Sequence, residues 1–168
     1  MTRAPRQESL TFESFPRIHE QELSNLISAS VRHAASGRVR VRVELDDLGD
    51  FVADVNKLER AIINLVRNSS EAIVGGGRID VVSAPSNPDE ICIIVEDDGP
   101  GIPQSLSATL FDPFVTSGKS GGTGLGLAIV KKIVEEHTGK IQLQSEIGRG
   151  ARFVMTIPRT PSVPQGQD

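Results

Sequence analysis

Residues 90–103 read EICIIVEDDGPGIP, and this stretch passes from an apolar run directly into a glycine turn. Side chains alternate between the two faces of a strand, so one face carries Ile91, Ile93, Val95 and Asp97. If this isoleucine face is the buried one, Asp97 lies at the rim of the core, where a carboxylate is costly unless it is hydrogen-bonded. Two interpretations stay open: a carboxylate that binds a ligand, or a turn aspartate satisfied by its own loop.

Predicted strands and helices extend outward from this stretch in a mixed order. Alternating or apolar runs predict five further strands, at residues 38–45, 51–54, 77–84, 140–146 and 151–157. Helical spacing predicts helices over residues 17–37, over about 56–74 and from near Thr123, with Gly37 and Gly139 as C-terminal caps. Paired strands joined by short turns favour an α+β, two-layer sandwich: a mixed, mostly antiparallel sheet packed on about three helices.

Composition predicts one domain with short flanking segments. Residues 1–10 and 159–168 are polar and contain proline, so we expect a linker and a disordered tail around a domain at 11–158. Residues 98–123 lack a sustained period, and a loop of that length is usually functional or mobile.

Charge and cysteine content exclude several classes of function. A net charge of −4 with no Trp or Tyr gives little support for nucleic-acid binding. Cys92 is the single cysteine, so a disulfide framework and a cysteine-rich metal site are excluded, and a reducing cytoplasm is the expected location. No stretch approaches about 18 consecutive apolar residues, so we expect no direct membrane contact, although a longer parent protein could be anchored.

The helix predicted over residues 56–74 places three polar side chains together. At about 100° per residue, Asn64, Asn68 and Glu71 fall within an arc of about 60° beside the apolar stripe. Asparagine is a middling helix former, so its presence here is unexpected for a solvated flank. The alternatives are such a flank, or an amide oxygen that binds Mg²⁺ together with phosphate oxygens.

The two glycine-rich segments have features of a nucleotide site. Gly99 and Gly101 allow a close backbone approach to a flat ligand, and a buried Asp97 could accept a hydrogen bond from the exocyclic amine of adenine. In GKSGGTGLGLAIVKK, residues 118–132, glycines surround the start of a helix, where backbone N–H groups bind anions. A glycine loop without function stays possible on this evidence, and the spacing matches neither a Walker A loop nor a dinucleotide fingerprint.

Taken together, these motifs resemble the ATP-binding catalytic domain of sensor histidine kinases, in the superfamily that includes gyrase, chaperone and mismatch-repair ATPases. The resemblance covers about residues 12–158 through NLVRNSSEAI, DDGPGIP, LFDPF, GTGLGLAI and GRGARF, in the family's order. Among sensor kinases, the nitrogen-regulation type is most similar to this chain in the segments RNSSEAI and GTGLGLAIVKKIVEEHTGKI. The resemblance implies a Bergerat-type fold with ATP and Mg²⁺ as cofactors.

The resemblance also assigns roles by position at the base and metal side. Asn68 is similar to the family's Mg²⁺ ligand, and Asn64 to a polar neighbour on the metal and phosphate side, so these two residues carry the implied catalytic role. Asp97 resembles the carboxylate that recognises adenine. Gly99 and Gly101 correspond to the backbone beside the base.

Further roles follow for the loop at about residues 104–123, which resembles the family's mobile ATP lid. Phe111 and Phe114 would anchor it, Lys119 would contact the γ-phosphate, and Thr156 would lie near the adenine. The phosphate loop and the helix after it correspond to Gly122, Thr123, Gly124, Leu125, Gly126 and Leu127. We expect the first half of residues 118–132 to be mobile without nucleotide and the second half to be fixed.

Three positions depart from the family's usual residues. Glu71 stands where other branches often have lysine, so a phosphate contact there is in doubt. Ala151 stands where a hydroxyl residue is common, and Lys119 is the lone basic residue of the lid.

The sequence argues for phosphate transfer to a partner and against rapid hydrolysis. ATPase branches of the superfamily place a water-orienting glutamate one turn before the metal asparagine, whereas this chain has Asn64, which is not a useful general base. We expect His19, His33 and His137 to be structural or solvated, with a cationic His137 favoured by the helix dipole.

The chain is therefore expected to be the catalytic domain of a two-component histidine kinase. It would pass phosphate from ATP to a histidine on a separate dimerisation domain, upstream of a response regulator. The alternatives are an ATP-hydrolysing conformational switch and an anti-sigma-type serine kinase.

Overall fold

One five-stranded sheet and one two-stranded sheet form the framework of the computed structural model, which describes residues 15–35, 37–45, 48–84, 87–115 and 124–160. The strands are β1 (Arg17–Ile18), β2 (Val39–Glu44), β3 (Phe51–Val52), β4 (Gly77–Ala84), β5 (Glu90–Asp97), β6 (Lys140–Ser145) and β7 (Ala151–Pro158). The helices are α1 (Glu20–Ala34), α2 (Val55–Ala72), α3 (Gln104–Ser107) and α4 (Gly126–Glu136). None of these helices in the described ranges is both long and apolar enough to cross a lipid bilayer.

The larger sheet has the strand order β2-β4-β5-β7-β6. β2 runs parallel to β4, and the other neighbouring pairs are antiparallel. The prediction of an α+β sandwich with a mixed, mostly antiparallel sheet is confirmed. The smaller sheet pairs β1 with β3, so residues 17–18, which were expected to be helical, form a strand instead.

Three helices cover one face of the larger sheet. α2 lies between α1 and α4 and packs on β5, while α1 packs on β2 and α4 packs on β6 and β7. Alternation in β7 identifies the covered face, because Phe153, Met155 and Ile157 are fully buried there. Burial of each such side chain stabilises the fold by about 1.5–3 kcal/mol. Asp97, the last residue of β5, shares this face and pairs with Ala151.

The helix ends depend on local hydrogen bonds that the glycine pattern did not predict. α1 ends at Ala34 with Ala35 in extended conformation, so the predicted cap at Gly37 is wrong. α4 begins at Gly126 and not near Thr123, which lies outside the described residues. At its other end Thr138 takes the left-handed conformation, with φ of 55°, and Gly139 donates its N–H to the carbonyl of Val134 at 2.9 Å.

α2 begins at a side-chain cap and ends two residues before the predicted Val74. The carboxylate of Asp54 accepts a hydrogen bond from the N–H of Lys57 at 3.1 Å, which satisfies one of the unpaired donors of the first turn. Within the long segment predicted to lack regular structure, residues 104–107 form the single turn of α3.

Contacts at the carboxyl end extend one residue past the expected domain boundary at 158. The N–H of Arg159 donates to the carbonyl of Asp89 at 2.8 Å, and its own carbonyl accepts from Val52 at 2.9 Å. Its guanidinium also bonds the carbonyl of Leu48. Arg159 therefore fixes the end of β7 to the β1–β3 sheet.

His137 is a structural residue, as expected, but the expectation of a cation is wrong. Its ring is fully buried, and burial lowers the pKa of the imidazole below its usual value. Nδ1 lies 2.7 Å from the carbonyl of Ile133, and Nε2 accepts the N–H of Asp54 at 3.1 Å. Phe15 stacks on the ring with centroids 5.2 Å apart. These contacts fit a neutral ring that donates from Nδ1.

The buried His137 predicts a loss of stability in acid. The unfolded imidazole titrates near pH 6.5, whereas the folded pKa is lower. Burial, with a smaller contribution from the Lys57 charge, outweighs the hydrogen bond to the Ile133 carbonyl and the charges of Asp54 and Glu136, which act in the opposite direction. Below about pH 6.5 the unfolded chain binds a proton that the folded chain does not, so the free energy of unfolding falls by up to about 1.4 kcal/mol per pH unit.

Urea denaturation from pH 7.5 to 5 would measure this effect. The His137→Gln variant keeps a carbonyl acceptor for Asp54 and cannot titrate, so its stability should change less over this range. If the free energy of unfolding depends on pH equally in the two proteins, the assignment of this pH dependence to His137 is contradicted.

Candidate functional site

The carboxylate of Asp97 is held by donors from three parts of the chain. Oδ2 accepts the hydroxyl of Ser69 in α2 at 2.5 Å. Oδ1 accepts the N–H of Gly99 at 2.9 Å and the N–H of Ala151 in β7 at 3.3 Å. Asp97 is only 6% exposed, so these hydrogen bonds compensate for the water that the carboxylate has lost.

The same three hydrogen bonds define what Asp97 can still bind. A carboxylate offers about four lone-pair positions, two on each oxygen. Oδ1 has both positions occupied and Oδ2 has one, so one acceptor position on Oδ2 is left for a ligand donor. The arrangement therefore favours a ligand with an N–H or O–H group at this point.

A cavity of about 270 Å³ opens beside Asp97, between α2 and the turn that follows β5. Its lining is mostly apolar, with polar groups confined to Asn68, Glu71 and Asp97. The lining residues are Asn68, Glu71, Ala72, Asp97, Pro100, Gly101, Ile102, Pro103, Leu110 and Ala151. A concave apolar pocket with a few convergent polar groups is the usual form of a small-molecule site.

The turn after β5 and the turn before β7 are packed tightly behind the cavity. The N–H of Gly148 donates to the carbonyl of Pro100 at 2.8 Å. Gly150 has a φ of 82°, and a Cβ atom there would lie 1.8 Å from the carbonyl oxygen of Asp97. A residue with a side chain at position 150 would push apart the strands that place Asp97.

The two asparagines of α2 lie between the cavity and the start of α4. Asn68 lines the cavity, and Oδ1 of Asn64 is 3.7 Å from where a Cβ of Gly126 would be. Amide oxygens are hard ligands that suit Mg²⁺. Among the described residues no group of three His, Cys, Asp or Glu side chains could hold a metal ion. The donors present therefore fit a cation that is held partly by the phosphates of a ligand.

The two phenylalanines of LFDPF have different surroundings. Phe111 is half-buried and contacts Phe153 edge-on, with ring centroids 6.3 Å apart. Phe114 is 77% exposed and left-handed, with φ of 67°. Its N–H donates to the carbonyl of Gly124 at 2.9 Å, and a Cβ on Gly124 would lie 2.6 Å from the Phe114 carbonyl carbon. Phe114 and Gly124 therefore join the predicted lid to the predicted phosphate loop.

The structure brings together most of the predicted site residues that it describes. Asn68, Asp97 and Gly101 line the cavity, and Gly99 bonds Asp97. Leu125 precedes α4, and Leu127 packs against the core. Three of the predicted ligand contacts lie outside the described residues: Lys119, Gly122 and Thr123.

Thr156 does not belong to this site. It pairs with Cys92, five residues before Asp97 on β5, and therefore lies on the other face of the sheet. Its hydroxyl interacts with the Cys92 thiol, whose pKa is raised by burial. The expectation that Thr156 lies near the base is corrected accordingly.

Two members of the Asp97 cluster were missed in the sequence. Ser69 lies among the apolar residues on the buried face of α2, and a hydroxyl in such a position needs a hydrogen-bond partner, which could have indicated this one. Ala151 contributes through its main-chain N–H, which no side-chain pattern reveals. The histidines gave no site: His19 lies 2.6 Å from Asp50, and His33 lies 3.2 Å from the carbonyl of Ala29.

Comparisons with known proteins relate the chain to one family of ATPases. Residues 53–161 match the family described as histidine kinase-, DNA gyrase B- and HSP90-like ATPase. The alginate biosynthesis sensor protein KinB of Pseudomonas aeruginosa is 42% identical over 123 residues, which are 72% of this chain and 20% of KinB. The sensory histidine kinase/phosphatase NtrB of Rhodobacter capsulatus is 39% identical over 122 residues, 66% of this chain and 34% of NtrB.

A solved structure extends the comparison to nearly all of the described chain. The catalytic domain of histidine kinase ThkA is 31% identical with a TM-score of 0.72, and the match covers 88% of this chain and 99% of that domain. A second structure contains ThkA in complex with the response regulator protein TrrA. The chain thus spans one fifth of KinB and about one third of NtrB, and nearly the whole of the isolated ThkA domain.

The packing behind Asp97 predicts unequal effects of two glycine substitutions in one turn. Gly148 and Gly150 both have a φ of 82°, but Gly148 has no atom within 4 Å of an added Cβ. Gly148→Ala should cost only the left-handed strain of about 1–2 kcal/mol. Gly150→Ala should cost at least about 2 kcal/mol more, because the strands must separate. Urea denaturation measures the loss in free energy of unfolding for each variant. Equal losses would contradict the close contact between position 150 and the Asp97 carbonyl.

Proposed function

Because the chain belongs to the histidine kinase-, DNA gyrase B- and HSP90-like ATPase family and is a histidine kinase catalytic domain, we propose that it binds Mg-ATP and phosphorylates a histidine on a separate dimerisation domain. The observation that carries the proposal is the single acceptor position left on Asp97 Oδ2, beside an apolar cavity. The exocyclic amine of adenine supplies the matching donor.

Base selectivity follows from the chemistry of that position. A base with a carbonyl oxygen at this edge would face the carboxylate with a second acceptor. Leaving such a buried group unsatisfied costs about 1–3 kcal/mol. The flat, apolar surroundings of Pro100, Ile102 and Leu110 suit the faces of a purine ring.

The phosphates are proposed to extend from the cavity toward the start of α4. Asn68 would hold Mg²⁺ together with the phosphate oxygens. Asn64 lies one turn earlier on the same helix and faces Gly126. When bound, the cation would neutralise charge that develops on the phosphates. The N-terminal N–H groups of α4 favour an anion by about 0.3–1 kcal/mol. Gly124 and the predicted contacts Lys119, Gly122 and Thr123 complete this part of the proposal.

The acceptor of the phosphoryl group is assigned to another domain. A neutral histidine attacks the γ-phosphorus through its unprotonated ring nitrogen, an N–P bond forms, the bond to the β,γ-bridging oxygen breaks, and ADP leaves. The proton on the other ring nitrogen is then released to solvent. His137 is buried and bonded through both ring nitrogens, and Asn64 cannot take a proton from water. The chain's own residues therefore bind and orient ATP, and the nucleophile comes from the dimerisation domain.

The proposed partners follow from the histidine kinase family. ThkA has been solved with its response regulator TrrA, and we extend that type of partner to the parent of this chain. A cytoplasmic location, without nucleic acid and without direct membrane contact by this domain, completes the proposal.

Labelled ATP tests the function directly. The chain is incubated with [γ-³²P]ATP and a separately produced dimerisation domain from the same parent protein. Acid-labile, alkali-stable label on a histidine of that domain is expected. Label on serine, or steady phosphate release by the chain alone, would instead indicate an anti-sigma-type kinase or a conformational ATPase.

Substitution of Asp97 should remove nucleotide binding. In Asp97→Asn the amide oxygen is retained by the two N–H donors at Oδ1, so the NH₂ group replaces Oδ2 and faces the adenine amine. Loss of this bond lowers ATP affinity by about 3 kcal/mol, or ~100-fold or more. Calorimetry measures the affinity. Asp98→Asn is the control, because the Asp98 carboxylate accepts the N–H of Arg78 outside the cavity. Unchanged ATP affinity in Asp97→Asn would mean that the base binds elsewhere.

Substitution of Asn68 should change the metal dependence and not the base contact. We expect Asn68→Ala to bind ATP without Mg²⁺ about as well as the unsubstituted chain, and to lose most of the gain in affinity that Mg²⁺ provides. Calorimetric titrations with Mg²⁺ and with EDTA compare the two proteins. An unaltered Mg²⁺ effect would exclude Asn68 as a ligand.

A further inference from the structure

Ser69 makes an unusual hydrogen bond for a serine inside a helix. Serine hydroxyls in helices commonly bond a carbonyl one turn earlier in the same helix. The Ser69 hydroxyl instead crosses from α2 to β5 and donates to Oδ2 of Asp97 at 2.5 Å. Both side chains are buried, with exposures of 1% and 6%.

This bond acts on the oxygen that is left to bind the base. Rotation about the last bond of an aspartate side chain has broad minima, so neighbouring donors must fix the plane of the carboxylate. Gly99 and Ala151 fix Oδ1 through main-chain N–H groups, which every substitution except proline retains. Ser69 fixes Oδ2 and occupies one of its two lone pairs. The remaining lone pair of Oδ2 then has a defined direction.

We propose that Ser69 is a positioning residue that sets the base selectivity of the site, favouring purines with a 6-amino group over those with a 6-oxo group. The inference rests on the proposed nucleotide-binding function and adds to it the residue that orients Asp97. Without the hydroxyl, Oδ2 gains a second vacant lone pair and the carboxylate plane is less constrained. The amine of adenine then loses its aligned acceptor, while a 6-oxo base, which gains nothing from that acceptor, loses little.

A purely structural Ser69 would behave differently. If its hydrogen bond served only to join α2 to β5, its loss would lower the stability of the chain. It would also lower the affinity for all nucleotides by the same factor. The ratio of affinities for a 6-amino and a 6-oxo nucleotide therefore separates positioning from stability.

Calorimetric titration of the 168-residue chain with Mg-ATP and Mg-ITP measures that ratio, since ITP differs from ATP in carrying a 6-oxo group. For Ser69→Ala we expect about a tenfold loss of ATP affinity with less than about a twofold change for ITP. Ser69→Thr retains the hydroxyl and should restore the ratio. Ser30→Ala is the matched control, because the Ser30 hydroxyl also donates to a carboxylate, that of Glu59, between α1 and α2.

The outcomes distinguish this inference from the function on which it rests. An unchanged ATP-to-ITP ratio in Ser69→Ala, with ATP still bound by the unsubstituted chain, overturns the inference alone. Absence of ATP binding by the unsubstituted chain overturns the proposed function and the inference together. If Ser69→Ala lacks a cooperative thermal transition, Ser69→Cys takes its place. Its thiol has similar size and donates weakly, so the same fall in the ratio is required.

Discussion

The buried carboxylate of Asp97 is the constraint on which the rest of the site depends. A charge in that position must be compensated by donors, and two of the three donors come from residues 28 positions earlier and 54 positions later in the chain. α2 must therefore pack over the end of β5, and β7 must pair beside it, before the carboxylate is satisfied. The motifs around Ser69, Asp97 and Ala151 are separate in sequence because each supplies one side of a single cluster.

The second half of the site is organised around the start of α4. Asn68 lines the cavity and Asn64 faces Gly126, so α2 contributes to both ends of the proposed nucleotide site. The hydrogen bond from Phe114 to Gly124 joins the phenylalanine motif to the glycine motif. The cavity beside Asp97 and the start of α4 are therefore connected through α2, which is the arrangement that the proposed binding of ATP across both requires.

The sequence predicted the features that depend on local periodicity. The two-residue period of a strand placed Asp97 on the same face of β5 as Ile91, Ile93 and Val95, and the structure shows that this face is the one covered by the helices. The spacing of Asn64 and Asn68 placed both on one edge of α2. Features that depend on long-range contacts were not predictable in the same way. Thr156 seemed close to the base until the pairing of β7 with β5 placed it on the opposite face.

Other errors have the same origin in distant contacts. The charge of His137 depends on burial beneath Phe15 and on the N–H of Asp54, which lies 83 residues away. The hydroxyl of Ser69 has a role only once β5 lies beside α2. The glycine pattern failed at α1, where Ala35 and not Gly37 ends the helix. At α4 Gly139 takes part in the cap as predicted, but the left-handed residue is Thr138.

The position of the bound base tests the account most directly. A crystal structure of the chain with Mg²⁺ and a non-hydrolysable ATP analogue gives the distances from the adenine N6 atom to both oxygens of Asp97. We expect N6 at about 2.9 Å from Oδ2, with the bonds from Ser69, Gly99 and Ala151 retained. An adenine bound through other groups, or an N6 atom on Oδ1 with the Ser69 bond broken, would contradict the account.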